Sequence, residues 1–425
     1  MTMLVFLGSL LLAMALGIPI AYALLVSGVA LMLHLDTFDA QILAQNLVEG
    51  ANSFPLLAVP FFMLAGEIMN AGGLSRRIVV LAQALVGHVR GGLGYVAILA
   101  AVMMAALSGS AVADTAALAS LLLPMMIAAG HDPARSGGLI ASAGIIAPII
   151  PPSIGFVIFG VAGGVSVSKL FMAGIVPGLL MGVAIAITWW LVARKEGHQP
   201  PRKATGAERL SALRQATWAL VLPIIVLVGL KFGVFTPTEA AVVAAVYALL
   251  VSTVVYRELK WPDLYNVFAS AAKTTAVVMF LVAAAMVSSW LITIAQIPAQ
   301  LVSLLQPLLD DPKLLMFAIM LIVMLVGTAM DMTPTILILT PVLMPVVKAA
   351  GIDPVYFGVL FIMNNAIGLV TPPVGTVLNV VAGVGKLKMD AVTKGVVPFM
   401  IAEFTLLFLF VLFPGLVTVP AKWFY

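Results

Sequence analysis

Two stretches of this sequence gather oxygen-bearing side chains where a helix cannot run unbroken. In AALSGSAVADTAA (105–117), Ser108, Gly109, Ser110, Asp114 and Thr115 interrupt apolar residues on both sides. In LVGTAMDMTPTILILTP (325–341), Gly327, Thr328, Asp331, Thr333 and Thr335 do the same. A proline pair follows each: Pro151–Pro152 in IIAPIIPPSIGF (145–156) and Pro372–Pro373 in GLVTPPVGTVLN (368–379). Proline has no N–H, and two in succession forbid a continuous helix. The carbonyls freed in this way need partners, and serine or threonine hydroxyls add oxygen at short reach. Such a density of oxygen suits a hard cation such as Na+, while helix N-termini exposed at the breaks suit an anion. Ser, Thr and Gly also serve close packing between membrane helices. The pairing of the breaks along the chain, more than any one serine, is what points to a site.

Carboxylates are few. Asp114, Asp331, Glu67 and Glu239 lie in or beside apolar runs, where an ionised group costs several kcal/mol. Asp114 and Asp331 are candidates for ion or proton binding. Glu239 in FTPTEAA (235–241) reads as part of a helix start, and Asp132 and Asp353 in the GHDP and GIDP turns read as caps. No histidines pair at metal-ligand spacing, and the scattered methionines read as packing. There is no Walker A loop, no dinucleotide fingerprint and no nucleophile elbow, so an enzyme is not expected, nor a cofactor other than Na+ as a coupling ion.

The elements that must position these residues are membrane helices. The 425 residues are 63% apolar and 9% charged, against about 25% charged in soluble domains. Long apolar blocks without strand-like alternation indicate an all-α polytopic membrane protein in a lipid bilayer. The N-terminal MTMLVFLGSLLLAMALG reads as a retained first span. Zero cysteines exclude disulfides and thiolate chemistry. The longest polar stretch, 194–215, carries Arg194, Lys195, Arg202, Lys203, Arg209 and Arg214 and is expected to be a cytoplasmic linker. That role accounts for its charge without nucleic acid.

The linker divides a repeat. GHDP (130–133) and GIDP (351–354), the two proline pairs, and GIVP (174–177) and GVVP (395–398) all stand 221 residues apart (351−130, 372−151, 395−174). The expected organisation is a first repeat at 1–193, the linker at 194–215 and a second repeat at 216–425. An odd number of crossings per half would invert the second, place the N-terminus outside, and put Arg76, Arg77 and Arg90 inside. Inverted repeats with interrupted segments at matching positions mark secondary transporters. Re-entrant hairpins are expected near 54–88, from the short proline-bearing FPLLAVPFFMLAGEIMNAGG, and near 273–309. Broken helices are expected near 108–110 and 327–334.

SGSAVADTAALASLLLPMM, IIPPSIGFVIFG, FTPTEAAVVAAVYALL, MDMTPTILILTPVLMPVV and GLVTPPVGTVLNV, in that order, resemble the large membrane subunit of tripartite ATP-independent periplasmic (TRAP) transporters. The resemblance implies a bacterial inner-membrane, Na+-coupled importer of organic acids. It implies an elevator mechanism, in which a transport domain with two hairpins slides against a scaffold domain. It further implies two partners, a periplasmic substrate-binding protein and a small four-helix membrane subunit, here expected as a separate polypeptide. Carried over by motif, one sodium site comprises Ser108, Ser110, Gly144 and Pro148, and the other Gly327, Gly368, Thr371 and Val374. Candidate substrate contacts are Ser153, Thr376 and the prolines Pro151, Pro152, Pro372 and Pro373. The rival reading is a stand-alone anion/Na+ or anion/H+ symporter that needs no binding protein. A membrane enzyme would need convergent catalytic residues, and a channel a polar stripe along several helices.

Overall fold

The computed structural model describes residues 2–194 and 202–424. Lys195, Glu196 and His198 of the basic linker lie outside the described residues. All regular structure among the described residues is helical. Nine of these helices are long and apolar enough to cross a membrane, and side chains such as Val183, Ile187, Leu191 and Ile224 stand exposed on their outer faces. The chain is a multi-pass membrane protein.

The first half runs through α1 (Thr2–Ala15), α2 (Ile20–His34), α3 (Ala40–Ala51), α4 (Ala58–Ala71), α5 (Leu74–Val86) and α6 (Gly92–Ser108). It continues with α7 (Ala111–Ala128), α8 (Pro133–Gly144), α9 (Ile154–Gly163) and α10 (Val167–Ala193). The second half begins with α11 (Gly206–Lys231), α12 (Pro237–Leu250), α13 (Trp261–Ile294), α14 (Ile297–Leu304) and α15 (Gln306–Leu309). It ends with α16 (Pro312–Ala329), α17 (Met332–Ala349), α18 (Pro354–Gly368), α19 (Thr376–Gly385), α20 (Met389–Leu412) and α21 (Gly415–Ala421).

The 221-residue offset reappears in the elements themselves. It carries both ends of α7 onto those of α17 (332−111, 349−128) and the start of α8 onto that of α18 (354−133). Packing is reciprocal too: α7 lies against α19, and α17 against α9. Local chemistry explains the boundaries. Asp132 and Asp353 cap α8 and α18 by accepting backbone N–H bonds, with proline in the first helical turn. Thr236 and Glu239 close a capping box at the start of α12.

In each half α6–α7 and α16–α17 form hairpins of 17 and 18 residues and of 18 and 18 residues. Arms of this size are long enough to span, so it is the meeting of each tip with a helix break, not arm length, that marks these hairpins as re-entrant. Their tips meet α8–α9 and α18–α19 at the proline breaks, midway along two interrupted crossings. Each half therefore crosses five times (α1, α2, α4, α8–α9 and α10; then α11, α12, α13, α18–α19 and α20), and the second repeat is inverted.

The re-entrant hairpins thus lie elsewhere than at 54–88 and 273–309. Residues 273–294 belong to α13, a continuous 34-residue helix. The chain does reverse at Gly72–Gly73, but α4 with its preceding turn at Phe54–Leu57 is a span packed on α12 and α13, and α5 is a separate helix against α6 and α11. The two prolines there cost no hydrogen bonds: Pro55 and Pro60 sit in first turns, whose N–H groups have no intrahelical partner. The second break falls within the expected 327–334. Gly327 lies in the last turn of α16, and the chain leaves the helix at Met330–Asp331.

Candidate functional site

The first hairpin tip is built by three residues. Ser108 ends α6, Gly109 takes a left-handed conformation (φ +63°), and Ser110 caps α7 by accepting from the Ala113 N–H. The Ser108 hydroxyl donates to Asp114 Oδ1 and accepts from the Ser110 N–H at 3.2 Å. Gly109 is pressed onto the first break: a Cβ there would lie 2.1 Å from the Pro152 carbonyl oxygen. Any side chain at that position would push the tip off the break.

Across the tip, Gly144 at the end of α8 abuts Thr115, and a Cβ on it would overlap the Thr115 hydroxyl. The stretch from Ile145 to Ser153 is not regular helix and is wholly buried. Ser153 caps α9, accepting from the Phe156 N–H, and donates to the Pro148 carbonyl. Ser108, Ser110, Gly144 and Pro148 therefore gather around one hairpin tip and one break, as do Pro151 and Pro152. Their hydroxyls are engaged in holding the unwound backbone.

The second tip has the same build with different residues. Gly327 lies directly against Gly368 at the end of α18: a Cβ on Gly368 would stand 2.8 Å from the Gly327 carbonyl oxygen. The Val374 N–H donates to the Thr328 carbonyl at 3.4 Å, and the Val374 carbonyl accepts from Asn379 Nδ2 at 2.9 Å. Thr376, the first residue of α19, donates to Asp331 Oδ1 at 3.5 Å. The Thr371 hydroxyl turns back to the Ile367 carbonyl at 2.8 Å and faces the Met400 sulfur at 3.6 Å. Thr371 thus offers the site its backbone more readily than its hydroxyl. The two proline pairs are both cis. They differ in surroundings: Pro151 and Pro152 are buried, whereas Pro372, Pro373 and Val374 are exposed.

Both tips open onto one cavity of about 380 Å³. Ser108 to Ala113 line it from the first hairpin, Asp331 to Thr333 from the second, Gly66 and Glu67 from α4, and Thr274 from α13. Ile154 and Leu369, flanking the two breaks, complete the wall. Ser153, Thr376 and the four prolines do not line it. They stand behind the lining, Ser153 holding the first break and Thr376 holding Asp331. Glu67 and Thr274 were not expected at the site. Glu67 was legible as an acid in an apolar run; Thr274, inside a long helix, gave no signal.

The electrostatics of this cavity are mixed in an informative way. Two carboxylates, Glu67 and Asp331, face it, and among the described residues no Lys, Arg or His does. The first turns of α7 (Ala111, Val112, Ala113) and α17 (Met332, Thr333) also face it. First-turn N–H groups have no intrahelical acceptor, and the helix dipole adds positive potential there. The α17 start has no side-chain cap. Two converging helix N-termini are suited to a carboxylate, and the acids and unwound carbonyls beside them are suited to a cation.

Inverted repeats, paired hairpins and paired helix breaks meeting around one shared cavity define a secondary-transporter architecture. Residues 7–416 match the DctM component of tripartite ATP-independent periplasmic transporters, and the chain belongs to that family. It is a transporter permease subunit rather than an enzyme. It is 60% identical over 423 residues, the full length of both chains, to the 2,3-diketo-L-gulonate TRAP transporter large permease protein YiaN of Escherichia coli (strain K12). It is 38% identical over 398 residues to the sialic acid TRAP transporter large permease protein SiaM of Vibrio cholerae serotype O1, covering 94% of this chain and 93% of that one. Among solved structures, the YdaH transporter of Alcanivorax borkumensis superposes with a TM-score of 0.62 at 14% identity, over 91% of this chain and 89% of that one. That likeness is one of fold.

Proposed function

We propose that the chain is the membrane-translocating subunit of a Na+-coupled importer of organic acids in a bacterial inner membrane. The observation that carries this reading is the convergence of two helix N-termini on one cavity flanked by the two breaks, whose lining among the described residues contains acids and no basic side chain. An anionic cargo entering it meets Glu67 and Asp331, so a cation bound at the breaks is needed to offset their repulsion. Ser108, Ser110, Gly144 and Pro148 would hold one Na+, and Gly327, Gly368, Thr371 and Val374 the other, largely through backbone carbonyls. The acids Asp114 and Asp331 shape the two sites, and the carboxylate cargo sits between the N-termini of α7 and α17. The identity to the diketogulonate permease favours sugar-derived keto acids as the cargo class.

The mechanism is an elevator. A transport unit of α6–α10 and α16–α20 slides against a scaffold of α1–α5 and α11–α15, the cavity lying on their common boundary. Na+ binding seats the hairpin tips on the breaks and completes the anion seat before the unit moves. The membrane potential contributes about 2.3 kcal/mol per charge per 100 mV. A periplasmic binding protein delivers the cargo, and a small four-helix membrane subunit completes the permease. The linker 194–215 faces the cytoplasm. By the crossing pattern every arginine, from Arg76 to Arg257, falls at one face of the bilayer, which supports that orientation.

The test is uptake of a labelled keto acid into proteoliposomes holding this chain with its small subunit and binding protein. Uptake is expected only with an inward Na+ gradient. Equal uptake under a proton gradient alone would overturn the sodium coupling, and full activity without the binding protein would favour the stand-alone symporter.

A further inference from the structure

Glu403 stands at the fifteenth position of the 24-residue apolar helix α20, deep in the bundle. It is fully buried, and neither carboxylate oxygen has a hydrogen-bond partner. The Ser142 hydroxyl of α8 faces it, itself fully buried and unpartnered. The two helices cross in backbone contact just below: a Cβ on Gly138 would lie 2.2 Å from the Gly395 carbonyl carbon.

The position is also central. Ser142 is two residues from Gly144 at the first tip. Met400, one turn before Glu403, touches Thr371 in the second break. One turn of α20 thus reaches both sites.

No permanent countercharge is at hand. The helices packed on α20 are α8, α10, α16, α18, α19 and α21. Their titratable residues are Arg135, Lys169, Lys313 and Tyr356, each in the first turn of its helix. Tyr356 donates instead to the Phe410 carbonyl at 2.9 Å, two turns beyond Glu403. On α20 itself, Asp390 and Lys394 lie in the first two turns. An ionised carboxylate at this depth costs several kcal/mol and marks a functional position by default. A metal cation needs several oxygen ligands, whereas this pocket presents one carboxyl and one hydroxyl. A proton needs no further ligand.

We infer that Glu403 and Ser142 form a proton-binding site between the two ion sites, and that the transport unit moves with this carboxyl protonated. The proton is taken from water on one side as a neutral carboxylic acid forms, and returned to water when the α8–α20 contact loosens. The role in movement rests on the transport reading above; the proton site itself does not.

With the Na+ gradient held fixed, the initial rate of uptake by the wild type should fall about tenfold per pH unit above the carboxyl's titration point. Glu403→Gln, which keeps the protonated shape, should flatten that profile. A parallel fall in Glu403→Gln would overturn the proposal. Infrared spectra of the purified protein, titrated with alkali, decide the matter whatever the variant's transport activity. A protonated-carboxyl C=O band present in the wild type and missing from Glu403→Gln supports the site, and the absence of such a titrating band overturns it. Loss of one bound 22Na+ in Glu403→Gln would overturn it in favour of a metal-ion site.

Discussion

Gly327 and Gly368 meet backbone to backbone, one from the second hairpin and one from the second broken helix, with no side chain between them. The contact is directional. A Cβ on Gly368 would lie 2.8 Å from the Gly327 carbonyl oxygen, while a Cβ on Gly327 would meet only the Gly368 Cα, at 3.6 Å.

Alanine at these two positions should therefore behave differently. Gly368→Ala must lift the hairpin tip from the break, and the Na+ concentration for half-maximal uptake should rise about tenfold, a cost of about 1.4 kcal/mol. Gly327→Ala should stay within about twofold of wild type, since its contact is of ordinary van der Waals length. Na+ titration of uptake, or of Na+-dependent thermal stabilisation, reads both. Equal effects would refute the geometry.

Ser108→Ala should destabilise the purified protein. Among the described residues it removes the only hydrogen bond to a fully buried carboxyl, since Asp114 Oδ2 already has no partner. Leaving a buried polar group unpaired costs roughly 1–3 kcal/mol. A lowered melting temperature in detergent is expected, and an unchanged one would show that Asp114 finds another donor.

Glu67→Gln takes one negative charge from the cavity and leaves the hairpins alone. The cargo then meets less repulsion at low Na+, and uptake there should rise roughly fivefold, as about 1 kcal/mol of screened repulsion predicts. Saturating Na+ should shrink the difference. Uptake measured across Na+ concentrations tests both halves.

Glu258, just past the end of α12, is held by Arg76 at 2.8 Å and Arg77 at 2.7 Å, and the Arg77 guanidinium stacks 3.7 Å above the Tyr256 ring. This cluster ties α5 to the π-helical end of α12. Arg76 is mostly exposed, so its share is small. Glu258→Ala should cost about 1 kcal/mol in thermal unfolding, mainly through Arg77. Raising the salt concentration should narrow the gap between variant and wild type, and a gap insensitive to salt would speak against an ionic tie.

The absence of cysteine from the sequence makes the orientation directly measurable. A single cysteine at Ala204 should react only with reagent admitted to the cytoplasm, and one at Asp310 only from the periplasm. The reverse pattern would invert the topology.

Much of this was legible in the sequence because proline and glycine mark breaks whatever surrounds them. The register of Pro151 with Pro372 located both interrupted crossings and with them the repeat. The hairpins were misplaced for the complementary reason. Their arms, α6 above all, are uniformly apolar and carry no mark of being re-entrant, whereas Pro55 and Pro60 gave α4 the look of an interruption it does not have. The glycines at which tip and break close on each other, Gly109, Gly144 and Gly368, were legible in the sequence. The site was hidden where distant elements converge, as Thr274 of α13 does on the tip of the first hairpin. Glu403 was overlooked although one acid in a long apolar helix is a clear signal; the partner that gives it meaning, Ser142, lies on a helix 261 residues earlier (403−142).

Helix α13 covers in one piece what its counterpart covers in two, α3 and α4, parted at Asn52–Ser53. At 34 residues it is about 51 Å long, so it must lean or protrude where a bilayer is about 30 Å thick. The two halves are consequently lopsided, with a stiff beam on one flank and a jointed strut on the other. Bending on the α3–α4 flank is localised to the joint at Asn52–Ser53, a freedom that the unbroken α13 lacks.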